Sequence, residues 1–279
     1  MPEGGSIAGR KLIGEGREAE IYEWDDGTVL RLLRRGIDPA RVEGEAAAMR
    51  AAGGGGVDVP RVRDTITVDG RAGLVMDRVD GPDLITLMGR RPWTIPRAAR
   101  IVGMAQARMH EVVAPPDLDD LRSHARFKIE AAPNLPSDLA EFALATLDSL
   151  PDGDRVCHGD LHPGNVIMAS DGPVIIDWFD AARGSHIADI ARTSLLMSTR
   201  AHGPNGPGHL PGAGPGMLDR VHDSYLDAIT ELVAVEPDDV RRWEAVIAVA
   251  RVAEGIATDA LVAIWGERRS ASLRTGAVP

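Results

Sequence analysis

The chain has little sulfur: one cysteine, Cys157, in 279 residues. A single thiol excludes an internal disulfide and fits a reducing compartment. No apolar run approaches the ~18 residues of a membrane span, and the opening MPEGGSIAGRK has no apolar leader segment, so a cytoplasmic protein without membrane association is expected. Basic charge is in deficit, with 31 Lys and Arg against 42 Asp and Glu and a net charge of −11. A nucleic-acid binder would need a basic face, so that class is set aside. The acidic balance suits plain solubility and is equally compatible with a cationic ligand. The GxxxxGK[ST] pattern is missing, which excludes a P-loop nucleotidase. There is no internal repeat.

What remains describes an ordinary globular chain, 44% apolar and 26% charged, long enough for one domain or two lobes. Its most informative stretch is Val156 to Asp177, VCHGDLHPGNVIMASDGPVIID. Two short apolar runs, Val166 to Met168 and Val174 to Ile176, flank Ser170-Asp171-Gly172-Pro173, which is a hairpin signal. A polar loop with His158, Asp160, His162 and Asn165 precedes the hairpin, and Asp177 follows it. One ribbon thus fixes Asp160, Asn165 and Asp177, groups suited to a hard cation or a hydroxyl proton.

Upstream, Leu12-Ile13, Ala19 to Trp24 and Thr28 to Leu33 read as an antiparallel meander with Asp25-Asp26-Gly27 as a turn. Gly14 and Gly16 sit in the first turn, where glycine lets backbone N–H groups approach phosphate oxygens; an ordinary hairpin turn reads the same way. Asp38-Pro39 signals a helix start, with Asp38 as cap, and the helix is expected to stop at Gly53. A further strand pair turns at Asp69-Gly70. Then come helices over Pro96–Val113, Asp117–Ala132, Ser137–Leu150, Met217–Val235 and Pro237–Ile264, and another opens at Gly184-Ser185-His186. Residues 201–216 hold six glycines and four prolines and read as a linker or a lid.

His158-Gly159-Asp160, with Asn165 five residues on and Asp177 closing the hairpin, has the catalytic-loop spacing of protein kinases. The wording His-Gly-Asp-Leu-His-Pro-Gly-Asn followed by Ile-Asp-Trp resembles the aminoglycoside phosphotransferase family, which also takes in choline-, homoserine- and fructosamine-kinase-like enzymes. The resemblance implies an α+β, bilobal protein-kinase-like fold. Its small N-lobe, residues 1–78, would hold an antiparallel sheet and one helix and bind nucleotide; its larger, mostly helical C-lobe, residues 79–279, would carry the catalytic loop and the substrate site. It implies ATP and Mg²⁺ as cofactors and a small hydroxylated acceptor: an aminoglycoside-like antibiotic, an amino sugar or another metabolite. Asp160 would be the catalytic base, and Asn165 and Asp177 the metal ligands. Arg31 stands where the family has a phosphate-binding Lys, and Arg is no simple substitute for Lys. A water-facing edge-strand arginine is the alternative there. Glu45 would be the partner of that cation, rather than Glu43. Met76, Asp77 and Val79 would form the hinge around adenine. His158, His162 and Asp189 would brace the catalytic loop, although Asp189 could also be a plain helix cap. His110 is expected as a packed or capping residue.

Two other readings compete. His158, Asp160, His162 and Asp177 alternate as a metallohydrolase cluster could, but Pro163-Gly164 breaks the strand and Asn165 is left without a role. Arg31 and the incomplete glycine loop would suit a non-catalytic nucleotide-binding regulator. A polycationic acceptor would call for carboxylates such as Asp180, Asp223, Asp227, Glu254 or Asp259, while Arg268, Arg269 and Arg274 near the terminus argue against one.

Overall fold

The structure, a computed structural model, describes residues 1–2, 5–133, 135–197 and 215–254. Five strands form an antiparallel sheet: β1 (Leu12–Glu15), β2 (Ala19–Glu23), β3 (Thr28–Leu33), β4 (Val62–Val68) and β5 (Arg71–Asp77), in the order β1-β2-β3-β5-β4. The β4–β5 turn, Asp69-Gly70, takes positive φ at both residues, the geometry a tight hairpin demands. Alternation along β3 sends Leu30 and Leu32 to one face, with Ile66, Val68 and Val75. It sends Arg31 and Leu33 to the other, where helix α1 (Ala40–Gly54) packs with Val42, Ala46, Met49 and Ala52.

The start of α1 differs from expectation. Asp38 stands one place outside the cap and accepts the Ala40 N–H at 3.0 Å, and the helix runs on through Gly53 and Gly54. Two helical glycines cost only about 1 kcal/mol each, less than packing on the sheet returns.

The larger lobe contains α2 (Leu84–Arg90), α3 (Ile95–Met109), α4 (Leu121–Ala131), α5 (Ser137–Ser149), α6 (His186–Met197), α7 (Pro215–Leu232) and α8 (Pro237–Ala250). Asp83 and Asp120 cap α2 and α4 by accepting the N–H groups of Thr86 and Ser123. Helix α3 packs on α7, and α6 on α8, with Trp243 in the second core. Between the helices lie two small ribbons: β6 (Arg155–Cys157) paired with β9 (Ala182–Gly184), and the expected hairpin of β7 (Val166–Ala169) and β8 (Gly172–Ile175). Gly81, just past β5, has φ +153° and lies so close to the hairpin that a Cβ there would stand 2.2 Å from the Met168 carbonyl oxygen. The crossing between lobes is thereby pinned to the hairpin. Among the described residues no helix is long and apolar enough to cross a membrane. Most of 201–216, the chain beyond Glu254, and with it Asp259, Arg268, Arg269 and Arg274, lie outside the described residues.

Candidate active site

The catalytic loop leaves β6 at Cys157, and its conformation depends on Gly159. That residue has φ +76°, and any Cβ would lie 2.2 Å from the Asp180 carbonyl oxygen. Glycine is therefore required at this place by both dihedral and space. The loop is held from behind by α6: Asp189 accepts the Gly159 N–H at 2.8 Å, and Arg192 Nε donates to the Gly159 carbonyl at 3.0 Å. The other oxygen of Asp189 accepts from Gln106 Nε2 and from His110 Nε2, each at 2.9 Å, so α3 braces α6. Burial pushes the Asp189 carboxyl up, but His110, Gln106 and the Gly159 N–H outweigh it and hold it at about 2. Asp189 is thus an ionised brace and not merely a helix cap. Tyr225 on α7 donates to Gln106 and extends the network.

His158 is fully buried. Its Nε2 donates to the Ile176 carbonyl at 3.1 Å and its Nδ1 accepts the Asp160 N–H at 3.2 Å, while its ring leans on Trp178. It ties the catalytic loop to the residue before Asp177. His162 Nδ1 accepts the Gly164 N–H at 3.0 Å and so caps the one-turn 3₁₀ segment Pro163–Asn165. With these ring nitrogens engaged in the loop, His158 is not a metal ligand, and no group of three or more His, Cys, Asp or Glu side chains among the described residues could hold a metal ion. The metallohydrolase alternative loses its donor set.

Asn165 Nδ2 donates to the Asp160 carbonyl at 2.9 Å, which orients the amide with its oxygen left as acceptor. The Ile176 N–H donates to the Asn165 carbonyl at 2.9 Å. Asp177, 49% exposed at its side chain, has φ +61°, a conformation uncommon outside glycine that costs of order 1–3 kcal/mol. Asp160 is half-buried; burial raises its carboxyl above the ordinary range, against the pull of Arg192 at 3.5 Å and of His162. A carboxylate raised in this way is a better proton acceptor than a free one.

Arg31 is 6% exposed, on the central strand, and faces inward rather than to water. Its Nη1 donates to Glu45 Oε2 at 2.8 Å and its Nη2 reaches Asp177 Oδ1 at 3.4 Å, across the lobes. Burial pushes the Glu45 carboxyl up to about 7, with Arg31 pulling it down. Glu43 points elsewhere and accepts from Thr65 Oγ1 at 2.8 Å. Phe179 lies between two guanidinium groups, 4.9 Å from Arg31 and 4.3 Å from Arg41, and Arg41 also donates to the Phe179 carbonyl. Met76, Asp77 and Val79 lie at the end of β5 and just beyond; the Asp77 N–H donates to Arg61 and its carboxylate pairs with Arg63. Cβ atoms at Gly14 and Gly16 would meet nothing closer than 3.4 Å, so the fold itself does not demand glycine at either.

Sequence reading missed Arg192 and Gln106. Arg192 had a usable signal, since it lies three residues after Asp189 on the same helical face.

Residues 9–206 match the model of the APH phosphotransferase enzyme family. No curated protein matches the sequence. Among solved structures, a thermostable mutant of an aminoglycoside phosphotransferase in ternary complex with ADP and hygromycin B is similar, with a TM-score of 0.64 at 16% identity, covering 97% of this chain and 95% of that one. An aminoglycoside phosphotransferase from Streptomyces rimosus, in complex with ADP and streptomycin, gives 0.59 at 19% identity over 88% and 94%. A choline/ethanolamine kinase family protein from Mesorhizobium loti gives 0.56 at 17% identity over 97% and 88%. At these identities the likeness carries the fold: the same bilobal protein-kinase-like arrangement.

Proposed function

We propose that this chain, which belongs to the phosphotransferase enzyme family, is an ATP-dependent small-molecule phosphotransferase that transfers the γ-phosphate of ATP to a hydroxyl with Asp160 as the base. The observation that carries this reading is the joining of Asp160, Asn165 and Asp177 through Asn165 Nδ2, His158 and the Ile176 peptide into one braced unit. In this reading residues 1–78 bind nucleotide, and residues 79–279 supply the catalytic loop and the acceptor site.

The residues fit a hard divalent cation. A half-exposed carboxylate on Asp177 and the amide oxygen of Asn165 are oxygen donors, and two protein ligands leave positions for phosphate and water, as Mg²⁺ prefers. When bound, Mg²⁺ neutralises charge on the transferring phosphoryl group. Arg31, fixed by Glu45, would hold phosphate oxygens with its permanent charge. Gly14 and Gly16, without side chains, would let backbone N–H groups approach phosphate there. The backbone of Asp77 and Val79, with Met76 as wall, would bind adenine. Asp160 takes the acceptor's hydroxyl proton as the O–P bond forms and the bond to the ADP oxygen breaks. Arg192 keeps Asp160 in place from α6. An ATP-using enzyme with one buried thiol belongs in the cytoplasm.

Mg²⁺-dependent ADP release across hydroxylated acceptors tests the reading. Acceptor-stimulated release that disappears in Asp160→Ala, with ATP binding retained, is the expected result. Wild-type turnover in that variant would overturn the role of Asp160, and absence of ATP binding in the wild type would overturn the nucleotide site.

A further inference from the structure

Helix α1 carries Arg41 and Glu45 one turn apart on the same face. Glu45 holds Arg31, and Arg31 reaches the Asp177 carboxylate. Arg41 grips the chain just past that carboxylate. Its Nη2 donates to the Phe179 carbonyl at 2.6 Å and reaches Asp180 Oδ1 at 3.3 Å. Its Nη1 reaches Asp119 Oδ2, just ahead of α4, at 3.4 Å. The guanidinium also lies over the Phe179 ring, 4.3 Å from its centroid. One side chain of α1 therefore engages a backbone carbonyl, two carboxylates and an aromatic face of the larger lobe. It is 23% exposed, so these contacts are screened less than those of an open surface pair.

The gripped segment includes a strained neighbour. Asp177 has φ +61°, and such a conformation persists only where the surroundings over-determine it. Ahead of it, the Ile176 N–H donates to the Asn165 carbonyl and His158 Nε2 to the Ile176 carbonyl. After it, Trp178 Nε1 donates to the Ile175 carbonyl and the Ala181 N–H to the Trp178 carbonyl, each at 3.0 Å. Those four bonds lie within the larger lobe. Arg41 adds one from α1, two residues beyond Asp177. The next residue, Asp180, sets its carbonyl against Gly159, so closely that a Cβ there would stand 2.2 Å away. Displacement of Phe179 and Asp180 thus acts on the Asp177 carboxylate and on the wall behind the catalytic loop.

We propose that Arg41 is a positioning residue, which holds the Phe179–Asp180 backbone to α1 and thereby aims the Asp177 carboxylate at the divalent cation. This deepens, and rests on, the phosphotransferase reading. The two arginines divide the work: Arg31 is directed at phosphate, and Arg41 at the backbone that presents a metal ligand. Groups that orient a ligand in this way typically change metal affinity ~10–100-fold when removed.

The test uses the full chain and a non-hydrolysable ATP analogue, whose affinity is measured by calorimetry with saturating Mg²⁺ and again with EDTA. The ratio of the two affinities is the gain that the metal supplies. Arg41→Met should cut this gain by about fivefold or more and leave the metal-free affinity within about twofold, a split that a merely structural role does not produce. Arg41→Lys keeps the charge but not the fork, and should retain part of the gain; it also decides the matter if the Met variant does not fold. Asp119→Asn removes only the contact farthest along the chain from Asp177 and should keep the wild-type gain. A wild-type gain in the Arg41 variants would overturn the proposal, as would a fall in both affinities by the same factor. An equal loss in Asp119→Asn would move the effect to the α4 contact and overturn it as well. A wild type that binds no nucleotide would instead sink the phosphotransferase reading, and the role of Arg41 with it.

Discussion

Asp189 accepts the backbone N–H of Gly159 at 2.8 Å, across 30 residues of sequence. Three turns of helix α6 thereby act on the loop that carries Asp160, and Gln106 on α3 with His110 just past its end keep the Asp189 carboxylate ionised at full burial.

That ionisation should be visible in acid. The folded carboxyl titrates at about 2, below its ordinary 3.8, so its contribution is present above pH 4 and is lost as pH falls through 2. The shift corresponds to about 2 kcal/mol. Urea unfolding of the wild type between pH 5 and pH 2 should show a loss of that size, and Asp189→Asn should be less stable at pH 7 with a flatter acid limb. Equal acid limbs in the two proteins would contradict the brace.

Arg192 touches the Gly159 carbonyl and the Asp160 carboxylate together. Arg192→Ala should lower kcat about 10- to 100-fold, of the order seen when a catalytic group loses its alignment, while KM for ATP changes less than threefold. Arg192→Lys keeps the charge but not the fork and should recover part of kcat. An equal rise in both KM values with kcat intact would assign Arg192 to binding instead.

Removing Arg31 leaves Glu45 as a buried carboxyl without its cation. Arg31→Met should cost about 3–5 kcal/mol, and Arg31→Met with Glu45→Gln should recover most of it. Glu45 already titrates at about 7, above its ordinary 4.5, and loses its cation in this variant. Below about 7 the Glu45 carboxyl is protonated in both folded proteins, so the deficit against the wild type should be level from pH 5 to 7 and grow as pH rises from 7 to 9. Thermal denaturation of both variants across that range measures it.

The two kinds of glycine should respond in opposite ways. Gly159→Ala meets the Asp180 carbonyl at 2.2 Å in a positive-φ conformation and should destabilise by more than ~2 kcal/mol or prevent folding. Gly14→Ala meets Ile21 at an ordinary 3.4 Å and should keep stability within about 0.5 kcal/mol. Its effect should appear as a several-fold rise in KM for ATP. Unfolding midpoints and ATP kinetics of the two variants separate the cases.

The hairpin and its flanks were legible in the sequence because turn residues and apolar runs signal locally, and the whole unit from Cys157 to Asp177 is contiguous. The β1–β3 meander was legible for the same reason. Helix α2 was not, because seven residues give too short a window for a helical period. The β6–β9 ribbon was hidden too, since each strand is three residues long and its partner lies far along the chain. Whether Arg31 faced water could not be read locally: alternation gives two faces, and only the position of α1 decides which one is inside.

The loop is held by α3, the His110 that follows it and α6, through His110, Gln106, Asp189 and Arg192, whereas Lys128 and Arg251, which line a pocket beside Gly159, belong to α4 and the end of α8. Loop support and pocket wall are thus mostly different pieces of chain, with Arg192 the one side chain shared between them among the described residues. Such a division lets a lineage, or an engineer, recast the pocket wall by exchanging α4 and the α8 terminus while the braces of the loop stay in place.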